Sequence, residues 1–267
     1  MPLEPFLKWA GGKRWLRSIV ADLKLPLTGK YFEPFLGSGA IFFQLSPSRA
    51  RLSDTNSDLV ATYKAIQAHP LAVEAALREL SVHHSDDFYY EVRESSPTDV
   101  AKRAARFIYL NRTCWNGLYR VNKLGVFNVP RGTKNQIILP SDDFESLSHR
   151  LRGADVACED FEECIAQAAE GDLVYCDPPY TVHHNYNGFL KYNEKIFSWD
   201  DQVRLRSCAE AAVARGAAVV ISNADHISVV ELFSGLGEMK FLDRPSVISG
   251  SVHGRGRFSE ILVHAPS

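Results

Sequence analysis

The chain has 267 residues, of which 45% are hydrophobic and 23% charged, and its formal net charge is -2. That composition excludes a disordered polypeptide and a disulfide-stapled miniature, and it suits one large domain or a domain with an insertion. It also excludes a uniformly basic protein, though not a local basic face.

In chain order, Trp15, Leu16, Ile19, Val20 and Leu23 recur at helical spacing and predict a helix over 12–24. Tyr31 to Phe35 reads as a strand. It runs into Gly37-Ser38-Gly39 and a helix from Ala40 to Leu45, which Pro47 ends. A second strand over 50–53 ends at Asp54, and helices are predicted over 57–67, 71–81 and 99–111. Residues 116–130 alternate around Gly117 and Gly125 and read as a hairpin. Leu-Val-Tyr-Cys, ending at Cys176, reads as a buried strand. Ser198 caps a helix with acids in its first turn, and Gly216 ends it. Ala217 to Ser222 and Ser259 to His264 complete the strands. Strands alternating with helices at both ends, around a helical middle, predict an α/β sheet domain interrupted by an insertion.

No apolar run approaches the ~20 residues that span a bilayer. The start, Met1-Pro2-Leu3-Glu4, lacks the basic and apolar regions of a secretion signal. The five cysteines are odd in number and contain no C-x-x-C pair, so zinc and disulfide frameworks are disfavoured. The expectation is a cytoplasmic protein without a metal, its cysteines acting as small apolar residues. His83-His84 and His183-His184 read as surface or loop residues rather than ligands.

Between Val100 and Ser141 there is no Asp or Glu, but there are Lys102, Arg103, Arg106, Arg112, Arg120, Lys123, Arg131 and Lys134. In a slightly acidic chain, this asymmetry points to a surface facing a polyanion, or else to a solvated basic face. Aromatic and amide residues lie among the charges, including Tyr109, Trp115, Asn116 and Phe127. Aromatics stack on bases, and amides and Arg read base edges. Arg255 and Arg257, among glycines, read either as phosphate contacts or as an exposed turn.

Three short motifs carry chemistry. Phe35-Leu36-Gly37-Ser38-Gly39 links a strand to a helix, and it reads either as a ligand turn or as an ordinary one. The third glycine of a dinucleotide fingerprint is replaced by Phe42. Asp54, at the end of the next strand, could accept from both hydroxyls of a ribose or could cap the following helix. Asp177-Pro178-Pro179-Tyr180 follows a buried strand, at the end of the sheet where open α/β folds bind ligands. Its carboxylate, free carbonyls and flat ring suit a planar group with an exocyclic amine.

With these motifs, Phe6-Leu7-Lys8-Trp9-Ala10-Gly11-Gly12-Lys13, Asn111-Arg112, Asn116-Gly117-Leu118-Tyr119-Arg120, Phe127-Asn128-Val129-Pro130 and Ser222-Asn223 complete a pattern. It resembles the Dam-type DNA adenine-N6 methyltransferases, which use S-adenosylmethionine (AdoMet), over about residues 6–264. The resemblance implies a Rossmann-like AdoMet-dependent methyltransferase sheet, with residues 1–56 and 155–267 catalytic. A helical and β-hairpin target-recognition domain would occupy 57–154. Trp9, Lys13, Phe35, Gly37, Gly39, Asp54 and Asp177 would bind the cofactor. Asp177, Pro178, Pro179 and Tyr180 would act on a flipped adenine. Lys8, Arg112, Trp115, Asn116, Leu118, Arg120, Pro130 and Arg131 would meet double-stranded DNA. Lys8, Leu118, Arg120 and Pro130 match positions of GATC-recognising relatives, and Trp115 stands where relatives usually carry Tyr. The alternatives are an AdoMet-dependent amino-methyltransferase for another nucleic-acid or amide substrate, and a non-catalytic DNA-binding module. The intact motifs argue against the second.

Overall fold

All four residues of Leu173–Cys176 and six of the seven in Ala218–Ala224 are buried. Neither run has a solvent face, as expected of central parallel strands covered on both sides. The computed structural model describes residues 3–9, 11–23, 25, 28–122, 125–182, 197–245 and 257–266. Lys123, His183, His184, Gly254, Arg255 and Gly256, and the side chain of Arg257, lie outside the described residues.

The described elements are α1 (Arg17–Asp22), β1 (Tyr31–Glu33), α2 (Ala40–Leu45), β2 (Ala50–Asp54), α3 (Ser57–Ala68), α4 (Pro70–Val82), α5 (Asp86–Glu94), α6 (Val100–Thr113), α7 (Phe144–Leu151), β3 (Ala154–Cys158), α8 (Phe161–Ile165), β4 (Leu173–Cys176), α9 (Trp199–Ala214), β5 (Ala218–Ala224), α10 (Ile227–Phe233), β6 (Glu238–Pro245) and β7 (Arg257–Ala265). The strands form one seven-stranded sheet in the order β3-β2-β1-β4-β5-β7-β6. β4 pairs parallel with β1 and β5, while β7 runs antiparallel to β5 and β6. Among the described residues, no helix is long and apolar enough to cross a membrane.

The chain divides into two compact units. The first holds Met1–Lys24, Leu36–Ser48 and Leu52–Cys158; the second holds Leu25–Phe35, Arg49–Arg51 and Glu159–Ser267. In the second unit, alternate residues of β4 (Val174, Cys176), β5 (Val219, Ile221) and β7 (Ile261, Val263) build one core with Leu205, Ala209 and Ala212 of α9 and Phe233 of α10. The period of two puts these strand residues on one face of the sheet. Ser198 caps α9 in a reciprocal box with Asp201, as the sequence predicts.

The first unit is a helical stack in which α3, α4 and α6 pack on one another and α7 packs on α3 and α4. Leu59, Tyr63 and Ile66 of α3, Val73 and Leu77 of α4, and Ala105 and Ile108 of α6 are buried at helical spacing. Two buried side chains at the end of α6 fasten the N-terminal segment to this stack. The Arg112 guanidinium donates to the carbonyls of Phe6 and Ile137 and forms a two-pronged pair with Asp142 at 2.6 and 2.7 Å. The Asn111 amide accepts from Lys8 N–H at 2.9 Å and donates to the Lys8 carbonyl at 2.7 Å, as a neighbouring strand would.

Several elements go beyond the sequence reading: α5, α7, β3, α8, α10 and β6. α5 buries only Tyr89 and Val92, a stripe too narrow to announce a helix. β6 is an edge strand with no described side chain buried, so its alternation is weak. The helix expected over 12–24 is a 3-10 turn, Arg14–Leu16, followed by α1. The expected hairpin is pairing without extended strands: isolated antiparallel bridges join Val121 to Phe127 and Cys114 to Arg131.

Because both partners are buried, removing Arg112 leaves the Asp142 carboxylate desolvated. Arg112→Met should cost about 3–5 kcal/mol of stability, read as a lower urea midpoint. A change within ±0.5 kcal/mol, the range of ordinary surface substitutions, would contradict this role.

Candidate active site

In the first unit, Gly37 and Gly39 have φ of +46° and +64°, a region that side chains with a Cβ avoid. Close approach excludes a side chain as well. A Cβ on Gly37 would lie 2.7 Å from Trp9 Cδ1, and one on Gly39 2.9 Å from Tyr63 Oη. Tyr63 Oη donates to the Gly37 carbonyl at 3.1 Å. The Gly37 N–H donates to Asp54 Oδ2 at 3.1 Å, and the Asn56 N–H donates to Oδ1 at 2.9 Å.

Burial raises the Asp54 carboxyl above its ordinary value, against the backbone N–H groups of Asn56, Gly37 and Thr55. Asn56 rather than Asp54 caps α3, so the capping role the sequence allowed Asp54 is filled by its neighbour. A carboxylate offers about four lone-pair sites, so the three backbone N–H groups leave capacity for a hydroxyl donor.

Trp9 packs its indole beside Gly37 and stacks on Tyr119, with ring centroids 5.9 Å apart and planes 21° apart. Tyr119 Oη donates to Asp58 at 3.1 Å, in the first turn of α3. Trp9, the glycine turn, Asp54, the α3 cap and Tyr119 therefore form a closed circuit of contacts. Lys13 is buried, and its Nζ donates to the Gly11 carbonyl at 2.8 Å.

The expected DNA residues of this unit separate. Trp115, Asn116, Arg120 and Pro130 are exposed, and Lys8 and Leu118 are half-buried. Trp115 N–H donates to the Pro130 carbonyl at 2.9 Å, and Arg120 Nε donates to Asn128 at 3.0 Å. Lys8 is pushed down to about 8 by burial and by the Lys134, Arg112 and Arg14 cations. Arg131 is engaged by Asp86 at 2.6 Å, by His84 and by Asn135.

Arg112 departs from the expectation. It is 1% exposed and its donors are committed to Phe6, Ile137 and Asp142, so it belongs to the frame and not to a DNA surface. Arg106 likewise donates to the carbonyls of Val92 and Arg93. The acid-free stretch is therefore only partly a basic face. His84, expected in a surface or loop role, lies in the loop between α4 and α5 and is half-buried, with Nδ1 2.7 Å from Tyr109 Oη.

In the second unit, Phe35 stacks on Phe161 at 5.4 Å and meets Phe197 edge-on at 5.5 Å. Asp177 follows β4, and its Oδ1 accepts from Ser222 Oγ at 2.9 Å. Ser222 Oγ also lies 3.1 Å from Tyr175 Oη. Pro178 is buried, whereas Pro179 and Tyr180 are half-buried. Tyr180 Oη donates to Glu260 Oε2 at 2.7 Å. Beyond it, Thr181 Oγ1 donates to the Phe197 carbonyl at 2.6 Å, Gln202 Nε2 donates to the Thr181 carbonyl, and Asn223 Nδ2 donates to Gln202 at 2.9 Å.

Gln202 and Glu260 escape sequence reasoning because their partners are distant in the chain. The only local signal is a polar residue on an apolar helix or strand face. Cys164 and Cys176 are buried, as the apolar reading expects, but Cys158 is exposed. Among the described residues, no group of three or more His, Cys, Asp or Glu side chains is arranged to hold a metal.

The sequence family described as D12 class N6 adenine-specific DNA methyltransferase matches residues 9–244. A Type II methyltransferase, M1.LlaDCHI, of Lactococcus lactis subsp. cremoris is 35% identical over 98% of this chain and 95% of its own. The Type II methyltransferase M.MjaIII of Methanocaldococcus jannaschii is 35% identical over 90% of this chain and 91% of its own. The DNA adenine methylase of Escherichia coli K12 is 36% identical over 82% of this chain and 80% of its own. The seven-stranded sheet with its helices fits a Rossmann-like methyltransferase fold, and the chain belongs to the D12 class N6 adenine-specific DNA methyltransferases.

Proposed function

We propose that the protein transfers a methyl group from AdoMet to N6 of adenine within GATC in double-stranded DNA, after the base is flipped out of the duplex, in the cytoplasm. The observation that carries this reading is the Asp177-Pro178-Pro179-Tyr180 loop, with its carboxylate fixed by Ser222 and its phenol fixed by Glu260. The functional division proposed is 1–56 with 155–267 for cofactor and chemistry, and 57–154 for target recognition.

The residues of the first unit fit the cofactor. The turn at Gly37 and Gly39 leaves no room for a Cβ, and its backbone can approach a ligand closely. Lys13 would face the cofactor carboxylate, Asp54 the ribose hydroxyls and Trp9 the wall beside the turn. Phe35 and Asp177 would complete the binding set. AdoMet, when bound, supplies an activated methyl group, and the protein supplies orientation.

The N6 lone pair of adenine is delocalised into the ring, so the amine is a poor nucleophile. Asp177 and the Pro178 carbonyl would accept hydrogen bonds from its two N–H groups and favour a pyramidal nitrogen, its lone pair aimed at the methyl carbon. Asp177 would then be the acceptor for the proton that N6 releases as its bond to the methyl forms and the methyl–sulfur bond breaks, the leaving group being the neutral thioether of S-adenosylhomocysteine. Pro179 keeps the loop stiff, and the Tyr180 ring stacks on the base. Unstacking the base costs a few kcal/mol. Trp115 and Asn116, both exposed, would support the opened duplex. Lys8, Leu118, Arg120 and Pro130 would read the target, and Arg131 would reach phosphate after leaving Asp86.

Transfer of labelled methyl tests the reading. GATC duplexes should accept label, while GTTC/GAAC duplexes and fully N6-methylated GATC should not. Label on the first two would discard the target assignment; label on none would discard the reading. Asp177→Ala should lower kcat by about 10²–10⁴-fold with an unchanged circular dichroism spectrum, and undiminished transfer would sink the proposed role.

Gly37→Ala tests the cofactor turn. The left-handed φ alone costs roughly 1–2 kcal/mol, and the new methyl collides with Trp9. The free variant's turn should relax away from that φ, and binding must restore it, so calorimetry should show about tenfold or greater loss of affinity for S-adenosylhomocysteine, 1.4 kcal/mol being a factor of ten. Unchanged affinity would remove the turn from the cofactor site.

Lys8 gives a pH test. Its folded-state value of about 8 means that the cation is present below that pH and is lost as pH rises through it. Affinity for GATC duplexes, followed by fluorescence anisotropy, should fall as pH rises through about 8, with a flatter profile in Lys8→Arg because guanidinium keeps its proton. Identical profiles would exclude Lys8 as the titrating contact.

A further inference from the structure

Glu260 is a carboxylate with 5% exposure, on a strand that otherwise contributes apolar residues to the core. It lies outside the 9–244 match to the family. A buried carboxylate is costly unless it is hydrogen-bonded, and this one accepts from Tyr180 Oη at 2.7 Å. That length lies within the range for a hydroxyl donating to a carboxylate, the class of hydrogen bond roughly twice as strong as a neutral pair.

The sheet sets the position of this acceptor. β7 pairs with β5 from Val219 opposite Ala265 to Ala224 opposite Glu260, and with β6 through Leu242 opposite Glu260. Glu260 thus sits at the end of the β5 ladder, held from both sides. Two residues back along β5 is Ser222, which donates to Asp177. Two adjacent strands therefore each send one polar side chain to the Asp177–Tyr180 loop, one to each end of it.

We propose that Glu260 is a positioning residue that holds the Tyr180 ring in the orientation needed to stack on the target adenine. The inference rests on the reading of Tyr180 as the stacking residue. A tyrosine ring bonded only through its backbone can swing about χ1. Anchoring Oη to a strand-borne carboxylate removes that swing. The phenol O–H also prefers the ring plane, so the bond restrains which way the ring faces. Burial and the Asp177 and Glu260 carboxylates push the Tyr180 phenol well above its ordinary value. It stays protonated and able to donate.

A double-mutant cycle tests the proposal, with methyl transfer to GATC duplexes as the readout. Glu260→Ala should lower kcat roughly tenfold, the size of a lost hydrogen bond to a charged group, and leave the KM for AdoMet unchanged. Glu260→Gln keeps an acceptor and should recover most of the rate. In the Tyr180→Phe background the hydroxyl is gone, so Glu260→Ala should cost less than about twofold, because residues acting as one unit are not additive.

Equal losses in both backgrounds would overturn the proposal, as would full activity of Glu260→Ala. If Glu260→Ala does not fold, Glu260→Gln in the two backgrounds reads the same coupling. Its smaller loss must vanish with Tyr180→Phe, and persistence of that loss overturns the proposal. A wild-type protein that transfers no methyl to adenine would overturn the underlying reading instead, so the two failures are distinguishable.

Discussion

The last turn of α6 carries the constraint on which the first unit depends. Asn111 pairs with both backbone groups of Lys8, and Arg112 fastens Phe6 to Ile137 and Asp142. A short N-terminal segment has no sheet or helix of its own to satisfy its backbone. These two buried side chains supply partners for Phe6 and Lys8, and Arg14 and Arg17 donate to the Pro5 and Leu3 carbonyls, so the segment has one position. Lys8 and Trp9 inherit that position. Trp9 then limits Gly37 to a residue without a Cβ, and the turn at Gly37 sets the N–H that Asp54 accepts. Each contact narrows the next, and precision in the glycine turn traces back to a guanidinium that touches no ligand.

The second unit achieves the same precision by strand register. The β4–β5 pairing aligns Cys176 with Ile221, which sets Ser222 beside the residue that follows β4. The β5–β7 pairing then sets Glu260. A slip of one residue in either pairing would turn Ser222 or Glu260 to the opposite face. The apolar alternation of Val219, Ile221, Ile261 and Val263 guards against such a slip. Hydrophobic burial thereby specifies where two polar side chains lie.

Sequence reasoning reached whatever a local rule dictates. Gly37 and Gly39 were legible because left-handed backbone demands glycine, and Ser198 because a helix start demands a cap. The buried Leu-Val-Tyr-Cys strand was legible because nothing in it tolerates water. Arg112 was misread because a charge count treats every guanidinium as surface, and only the fold reveals Asp142 buried against it. The network of Thr181, Gln202 and Asn223 was invisible because its partners are brought together by the packing of α9 on the sheet. Edge strand β6 was missed because a strand without a buried face leaves no alternation to find.

The exposed segment after α6 argues from its energetics. Trp115 is 51% exposed, and Asn116 is held at φ +56°. A left-handed conformation is strained for a residue with a Cβ, even one such as Asn that tolerates it best. An exposed indole forgoes the burial that would repay its apolar surface. Neither feature stabilises the folded chain, yet the surrounding backbone maintains both through the bonds of Trp115 to Pro130 and of Gly117 to Cys114. Strain that the fold over-determines gathers at functional sites. On the proposed reading its use is pre-organisation: an aromatic ring and an amide already presented to an opening duplex need no ordering at the moment of contact, and the stability they forgo in the free protein returns as affinity.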